Sequence, residues 1–229
     1  MREEVKGDET VLRFSLDGKA VVKIGELSRG GQARYEVKGL DHDFHAPEKV
    51  TPYGILLPDH DRVFLYFTQS PVTSDFIADC LHDCWEQLKE EMPHVKTFLL
   101  YQDNGPECNS RRTQFMHRMA QWADETERTI RLAYYPPYHS KYNPIERVWS
   151  ALERHWNGDL LDSVTTVIRF AETVRWKQQC PVVQLVKTVY ETGQKLSQKA
   201  MKKLEQRFER ENGLEKWFVT IPPLKHETL

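Results

Sequence analysis

The chain has 229 residues and a mass of 27.0 kDa, with 39% apolar residues, six tryptophans and a formal net charge of −2. That supports one large domain, or one domain with an appendage, and argues against a protein that binds nucleic acid through overall basicity. No apolar run approaches the roughly 20 residues of a membrane span, and the charged residues 1–10 contain no signal-peptide core.

The four cysteines read as reduced thiols rather than as a disulfide framework. Cys80 and Cys84 share helical spacing with Ile77, Leu81, Trp85 and Leu88, which points to a buried apolar face. The resulting expectation is a cytoplasmic globular protein with no membrane partner. Charge is uneven along the chain. Seven Lys or Arg against three Glu lie between Lys187 and Arg210, and Arg111, Arg112 and Arg118 fall near another helix. Such patches suit phosphate, and they equally suit a solvated helix face.

In chain order, residues 11–16 and 19–24 are β-rich and meet at Asp17-Gly18, a hairpin signal. Residues 28–51 have weak periodicity and read as an irregular insertion; His42 and His45 within it form only a weak metal-site candidate. Residues 63–67 form a third strand. A helix capped by Thr73 or Ser74 runs to about 91, before Pro93. Residues 97–102 are a buried strand leading into Asp103-Asn104-Gly105-Pro106-Glu107. A helix over 110–127 turns Phe115, Met116, Met119, Ala120 and Ala123 inward. Residues 130–134 form a fifth strand.

The next stretch, residues 132–149, reads L-A-Y-Y-P-P-Y-H-S-K-Y-N-P-I-E-R-V-W. Asn143 suits an N-cap and Pro144 the first helical position. Ile145, Val148, Trp149 and Leu152 then form an apolar stripe, with Glu146 just beside it in the first turn. Beyond residue 158, helices are predicted over 163–177, 181–193 and 197–211, followed by a short apolar segment at 217–221. The layout is α/β, with one mixed sheet. It divides into a lead (1–10), a core (11–158, insertion 28–51) and a helical C-terminal extension (159–229).

Three carboxylates stand at element ends. Asp17 closes the first predicted strand, Asp103 the fourth, and Glu146 opens the helix after the fifth. Convergence at one sheet edge would give a hard-oxygen cluster suited to Mg²⁺ or Mn²⁺, and two such ions suit phosphodiester chemistry. Each acid also has a local reading: Asp17 as a turn-former, Asp103 in an Asx-turn, Glu146 as a complement to the helix dipole.

The segments S-L-D-G-K-A-V-V-K-I-G, Y-Q-D-N-G-P-E and Y-P-P-Y-H-S-K-Y-N-P-I-E-R-V-W resemble the DDE transposases of bacterial insertion sequences, Rhodopirellula-type, with mariner-like relatives. The likeness extends from about residue 11 to 221, through W-N-G-D-L-L-D-S and G-L-E-K-W-F-V. The resemblance implies a ribonuclease H-like mixed sheet flanked by helices. It also implies a catalytic, metal-binding triad of Asp17, Asp103 and Glu146 holding two Mg²⁺ ions, with Mn²⁺ able to substitute. The implied partners are insertion-sequence ends, target DNA and a second copy in a homodimer, in the bacterial cytoplasm at the nucleoid.

Around the acids, His139, Lys141 and Arg147 are candidate phosphate contacts, and Asn104 a candidate support for Asp103. Tyr135, Tyr138 and Tyr142 suit loop packing better than base stacking. Such transposases carry an N-terminal helix-turn-helix region, and about ten residues precede the first predicted strand here. The expectation is therefore a catalytic portion alone with weak, sequence-indifferent DNA binding. A metal-dependent nuclease of the same fold and an inactive transposase remnant are the alternatives.

Overall fold

The computed structural model describes residues 7–27, 48–136 and 142–224. His42, His45, Tyr138, His139 and Lys141 lie outside those residues. The chain separates into two compact units, 1–16, 73–143 and 190–229 in the first, 17–72 and 144–189 in the second.

The first unit holds β1 (Val11–Gly18, whose last two residues belong to the second unit), α1 (Ser74–Glu86), β5 (Thr97–Gln102), α2 (Thr113–Thr126), β6 (Thr129–Tyr134), α5 (Gln198–Glu205), β8 (Glu209–Arg210) and β9 (Phe218–Ile221). Its strand order is β1-β5-β6-β9-β8. The β1–β5 and β5–β6 pairs are parallel, and β9 runs antiparallel to β6, so this sheet is mixed. Its core is aromatic. Phe98 stacks on Trp122 at 4.6 Å and meets Phe14 and Trp85 edge-on at 5.6 and 4.8 Å, geometries that suit ring quadrupoles. Helix α1 starts where Thr73 Oγ1 accepts the Phe76 N–H, one of the orphan donors of a first turn. The inward face of α2 is the expected one: Phe115, Met116, Met119, Ala120 and Ala123 are all buried.

The second unit holds β2 (Val22–Ile24), β3 (Glu48–Leu57), β4 (Arg62–Thr68), α3 (Ile145–Trp156), α4 (Val164–Thr173) and β7 (Val182–Val186). Strand β3 pairs antiparallel first with β2 and then with β4, and β7 lies parallel to β4. The apolar stripe of α3 is buried as its spacing predicts, with Ile145, Val148, Trp149, Leu152 and Trp156 in one cluster with Val50, Leu65, Phe67 and Leu161. No helix among the described residues is long and apolar enough to cross a membrane. All four cysteines are free, Cys80, Cys84 and Cys108 buried and Cys180 exposed.

Several elements differ from the sequence reading. Asp17 and Gly18 finish β1 instead of turning a hairpin, and β2 pairs with β3. The insertion assigned to 28–51 ends early, because β3 begins at Glu48 and continues through Pro52 and Gly54; those two residues weaken a strand signal locally. Segment 181–193, expected to be helical, contains β7, since a short apolar run such as V-V-Q-L-V has no period that separates strand from buried helix. The segment over 197–211 holds only the eight-residue α5 before β8, and the apolar residues 218–221 are strand β9. Helix α2 begins at Thr113 and not at Ser110, whose hydroxyl donates to Lys216 O at 3.0 Å.

Candidate active site

In the second unit, Asp17 is half-buried at the end of β1, and one carboxylate oxygen accepts the Trp149 indole N–H at 2.9 Å. Trp149 lies on α3, three residues after Glu146, which is half-buried in that helix's first turn. The helix carrying one acid is thus hydrogen-bonded to another. The indole ring rests on β3 at Gly54. A Cβ added there would come within 2.7 and 2.8 Å of ring carbons and 3.0 Å of Ile145 Cδ1. Lys19 pairs with Glu153, one turn beyond Trp149, at 2.6 Å.

Asn143 does not cap α3. Pro144 occupies the cap position, with no side-chain hydrogen bond to the first turn. Asn143 is instead buried in the first unit, where its Nδ2 donates to Leu16 O at 2.8 Å and its Oδ1 accepts from the Ser15 hydroxyl. Those are the two residues before Asp17. A buried amide with partners on a neighbouring strand is better satisfied there than by a solvated helix end.

Asp103 is exposed and follows β5 directly. The loop after it folds back. Gly105 sits so close that an added Cβ would lie 3.2 Å from Asp103 Oδ1. The Cys108 thiol approaches Asp103 O at 3.5 Å and Oδ1 at 3.7 Å. The loop is pinned by Tyr134 donating to Cys108 O at 2.8 Å and by Ser74 donating to Glu107 O at 2.7 Å. Burial pushes the Tyr134 phenol well above its ordinary pKa, so this donor stays protonated. Asn104, expected to support Asp103, is exposed; the contact to the carboxylate comes from Cys108.

Among the other expected contacts, Arg147 is exposed. Tyr135 lies beside Tyr101 with ring centroids 6.2 Å apart, a packing role, and Tyr142 is exposed. Much of the basic surface is already engaged. Arg112 pairs with Glu107, Arg118 with Asp75 and Asp79, Arg207 with Asp124, and Arg210 with Glu205. Among the described residues, no three His, Cys, Asp or Glu side chains form a metal-binding group.

Trp149 as a donor, Gly54 as its seat and Cys108 beside Asp103 went unassigned in the sequence. Trp149 read as core, Gly54 fell between the insertion at 28–51 and the strand predicted at 63–67, and Cys108 lay two residues before the predicted helix.

Comparison with known protein families matches the Rhodopirellula transposase DDE domain over residues 2–223. The chain belongs to that family. This family member also has the fold of two solved structures. One is described as the Mos1 transposase paired-end complex with left transposon end (TM-score 0.51, 11% identity). The other is described as the Mos1 mariner paired end complex with Mn (TM-score 0.51, 9% identity). Each match covers 73% of this chain and 49% of the other, so the chain spans about half the length of the structures it matches. At that identity the likeness establishes the fold, a ribonuclease H-like mixed sheet flanked by helices. Among curated proteins, none matches.

Proposed function

We propose that this chain is the catalytic domain of a transposase, a divalent-metal-dependent enzyme that cuts DNA at insertion-sequence ends and joins the freed 3′-hydroxyl to target DNA. Asp17, Asp103 and Glu146 are the proposed metal ligands. The observation carrying the reading is the family match over residues 2–223, within which all three acids stand in motif order. Two features support the ligand set. Strands β1 and β5 are parallel with Ser15 opposite Tyr101, and along the chain each acid is the second residue past that pair. Asp17 is also hydrogen-bonded to the helix that carries Glu146.

The donor chemistry fits. Carboxylates are hard ligands suited to Mg²⁺ or Mn²⁺, and carboxylates gathered without a cation repel, so the set completes with metal and phosphate oxygens bound. When bound, a pair of such ions activates an attacking oxygen and stabilises the leaving oxygen of a phosphodiester. The protein holds no covalent intermediate in this reading. Its side chains orient: Trp149 fixes Asp17, and the loop 103–108 fixes Asp103. Arg147, His139, Lys141 and Asn104 are proposed phosphate contacts, and a homodimer acting on paired DNA ends is the proposed assembly.

Asp103→Asn tests the triad, because a neutral amide is a poor ligand for a hard ion. The variant is expected to melt like the parent, or slightly higher, and to lose Mn²⁺-dependent cleavage of a DNA duplex. Cleavage at the parental rate sinks the assignment. A joining assay with a pre-cut donor end separates a transposase from a nuclease of the same fold. The near-neutral charge and the paired arginines imply weak, sequence-indifferent DNA binding. Strong preference for one end sequence in a fluorescence-anisotropy titration would overturn that expectation.

A further inference from the structure

We propose that Trp149, seated on Gly54, is the positioning residue for Asp17, holding its carboxylate in the orientation that accepts a divalent cation. The inference rests on the reading of Asp17 as a metal ligand. An indole has one polar atom, a donor, and an ionised carboxylate only accepts. Trp149 is 4% exposed, yet its N–H reaches an acid 132 positions away in sequence at 2.9 Å. The chain places other indoles differently. Trp156 donates to Glu153 three residues back on its own helix, and the buried Trp122 and Trp176 nitrogens have no hydrogen-bond partner among the described residues. Fold stability alone does not demand that a buried indole N–H in this chain find a distant carboxylate.

Gly54 supplies the second, independent observation. It sits mid-strand in β3, opposite Leu65, without the left-handed backbone that would itself call for glycine. What excludes a larger residue is the Trp149 ring, which a Cβ would approach to 2.7 Å, closer than real Cβ contacts come. A side chain at 54 would lift the ring off the strand and carry the N–H away from Asp17. Because Glu146 precedes Trp149 by three residues on α3, the same indole ties two proposed ligands to one rigid helix. Groups that hydrogen-bond and orient metal ligands typically change metal affinity by about 10–100-fold when removed.

The test is a Mn²⁺ titration of the full chain without DNA, free Mn²⁺ being read by electron paramagnetic resonance, with thermal melting alongside. Trp149→Phe keeps a buried ring and removes the donor; it is expected to weaken Mn²⁺ binding about 10-fold or more while melting close to the parent. Gly54→Ala keeps the indole and displaces it, and is expected to weaken binding as well. If Trp149→Phe fails to fold, Gly54→Ala decides. Parental Mn²⁺ affinity in a folded Trp149→Phe or Gly54→Ala overturns the positioning role, provided Asp17→Asn binds more weakly than the parent. Parental affinity in Asp17→Asn, or no Mn²⁺ uptake by the parent, overturns the metal-ligand reading and this inference with it.

Discussion

Asp17 is held by a helix and Asp103 by a loop, although Ser15 and Tyr101, two residues before each, are partners in one parallel strand pair. On the Asp17 side the anchor is apolar. Trp149 belongs to a cluster with Ile145, Val148, Leu152 and Trp156, all 4% exposed or less, and its single polar atom is spent on the carboxylate. On the Asp103 side the anchor is polar: a thiol, a phenol and a serine hydroxyl fix a loop whose acid is exposed. Burying a large apolar side chain contributes about 1.5–3 kcal/mol, whereas a typical hydrogen bond contributes a net 0.5–1.5 kcal/mol. The two acids should therefore respond differently to damage nearby: folding and geometry fail together around Asp17, and separately around Asp103.

The largest effect comes from emptying the apolar anchor. Trp149→Ala removes a buried ring and is expected to cost about 3–5 kcal/mol. For a chain of this length that lowers the melting temperature by very roughly 6–20 °C. Parental melting would mean that the indole contributes little to the second unit, and the contrast between the two anchors would collapse.

Asn143→Ala lies between the extremes. The amide donates to Leu16 O and accepts from Ser15, so its loss leaves buried polar groups unpaired on the strand that carries Asp17. The expected cost is about 1–3 kcal/mol, measurable by urea unfolding with an unchanged slope. A neutral result would indicate that water replaces the amide, and that the end of β1 is set by its ladder alone.

The same contrast explains what the sequence disclosed. The stripe of α3 repeats every three to four residues, so the burial of Ile145, Val148, Trp149 and Leu152 was legible from spacing. Strand β5 was legible because its apolar run stops at an acid, whereas the end of β1 was not, since Asp17-Gly18 has the composition of a hairpin turn and instead finishes the strand. Asn143 was misread as a cap because its identity suits a helix start, and the competing partners, Ser15 and Leu16, lie more than a hundred residues away. Strands β3 and β7 were hidden for different reasons. Pro52 and Gly54 break the local β signal of one, and what calls for glycine at 54 is the ring of Trp149, a distant residue. The other is a five-residue apolar run whose strand character comes from pairing with β4. The local order of the site was readable; the contacts that orient its acids connect distant parts of the chain, and no local pattern encodes them.

The smallest predicted effect probes the loop. Cys108 is buried, and its thiol is a weak donor lying 3.7 Å from Asp103 Oδ1. Cys108→Ala removes one heavy atom and leaves the backbone carbonyl that accepts from Tyr134, so the pin on the loop survives. The expected cost is about 1 kcal/mol or less, within the range of small core truncations that leave the surrounding hydrogen bonds in place. Because Asp103 is also constrained by its strand and by the close approach of Gly105, Mn²⁺-dependent cleavage should change only modestly. A loss of stability approaching that of Trp149→Ala would show that the loop is packed as tightly as the helix, and the division into an apolar and a polar anchor would no longer hold. Unchanged melting combined with loss of cleavage would instead show that the thiol governs the Asp103 carboxylate directly, making the polar anchor the more finely tuned of the two.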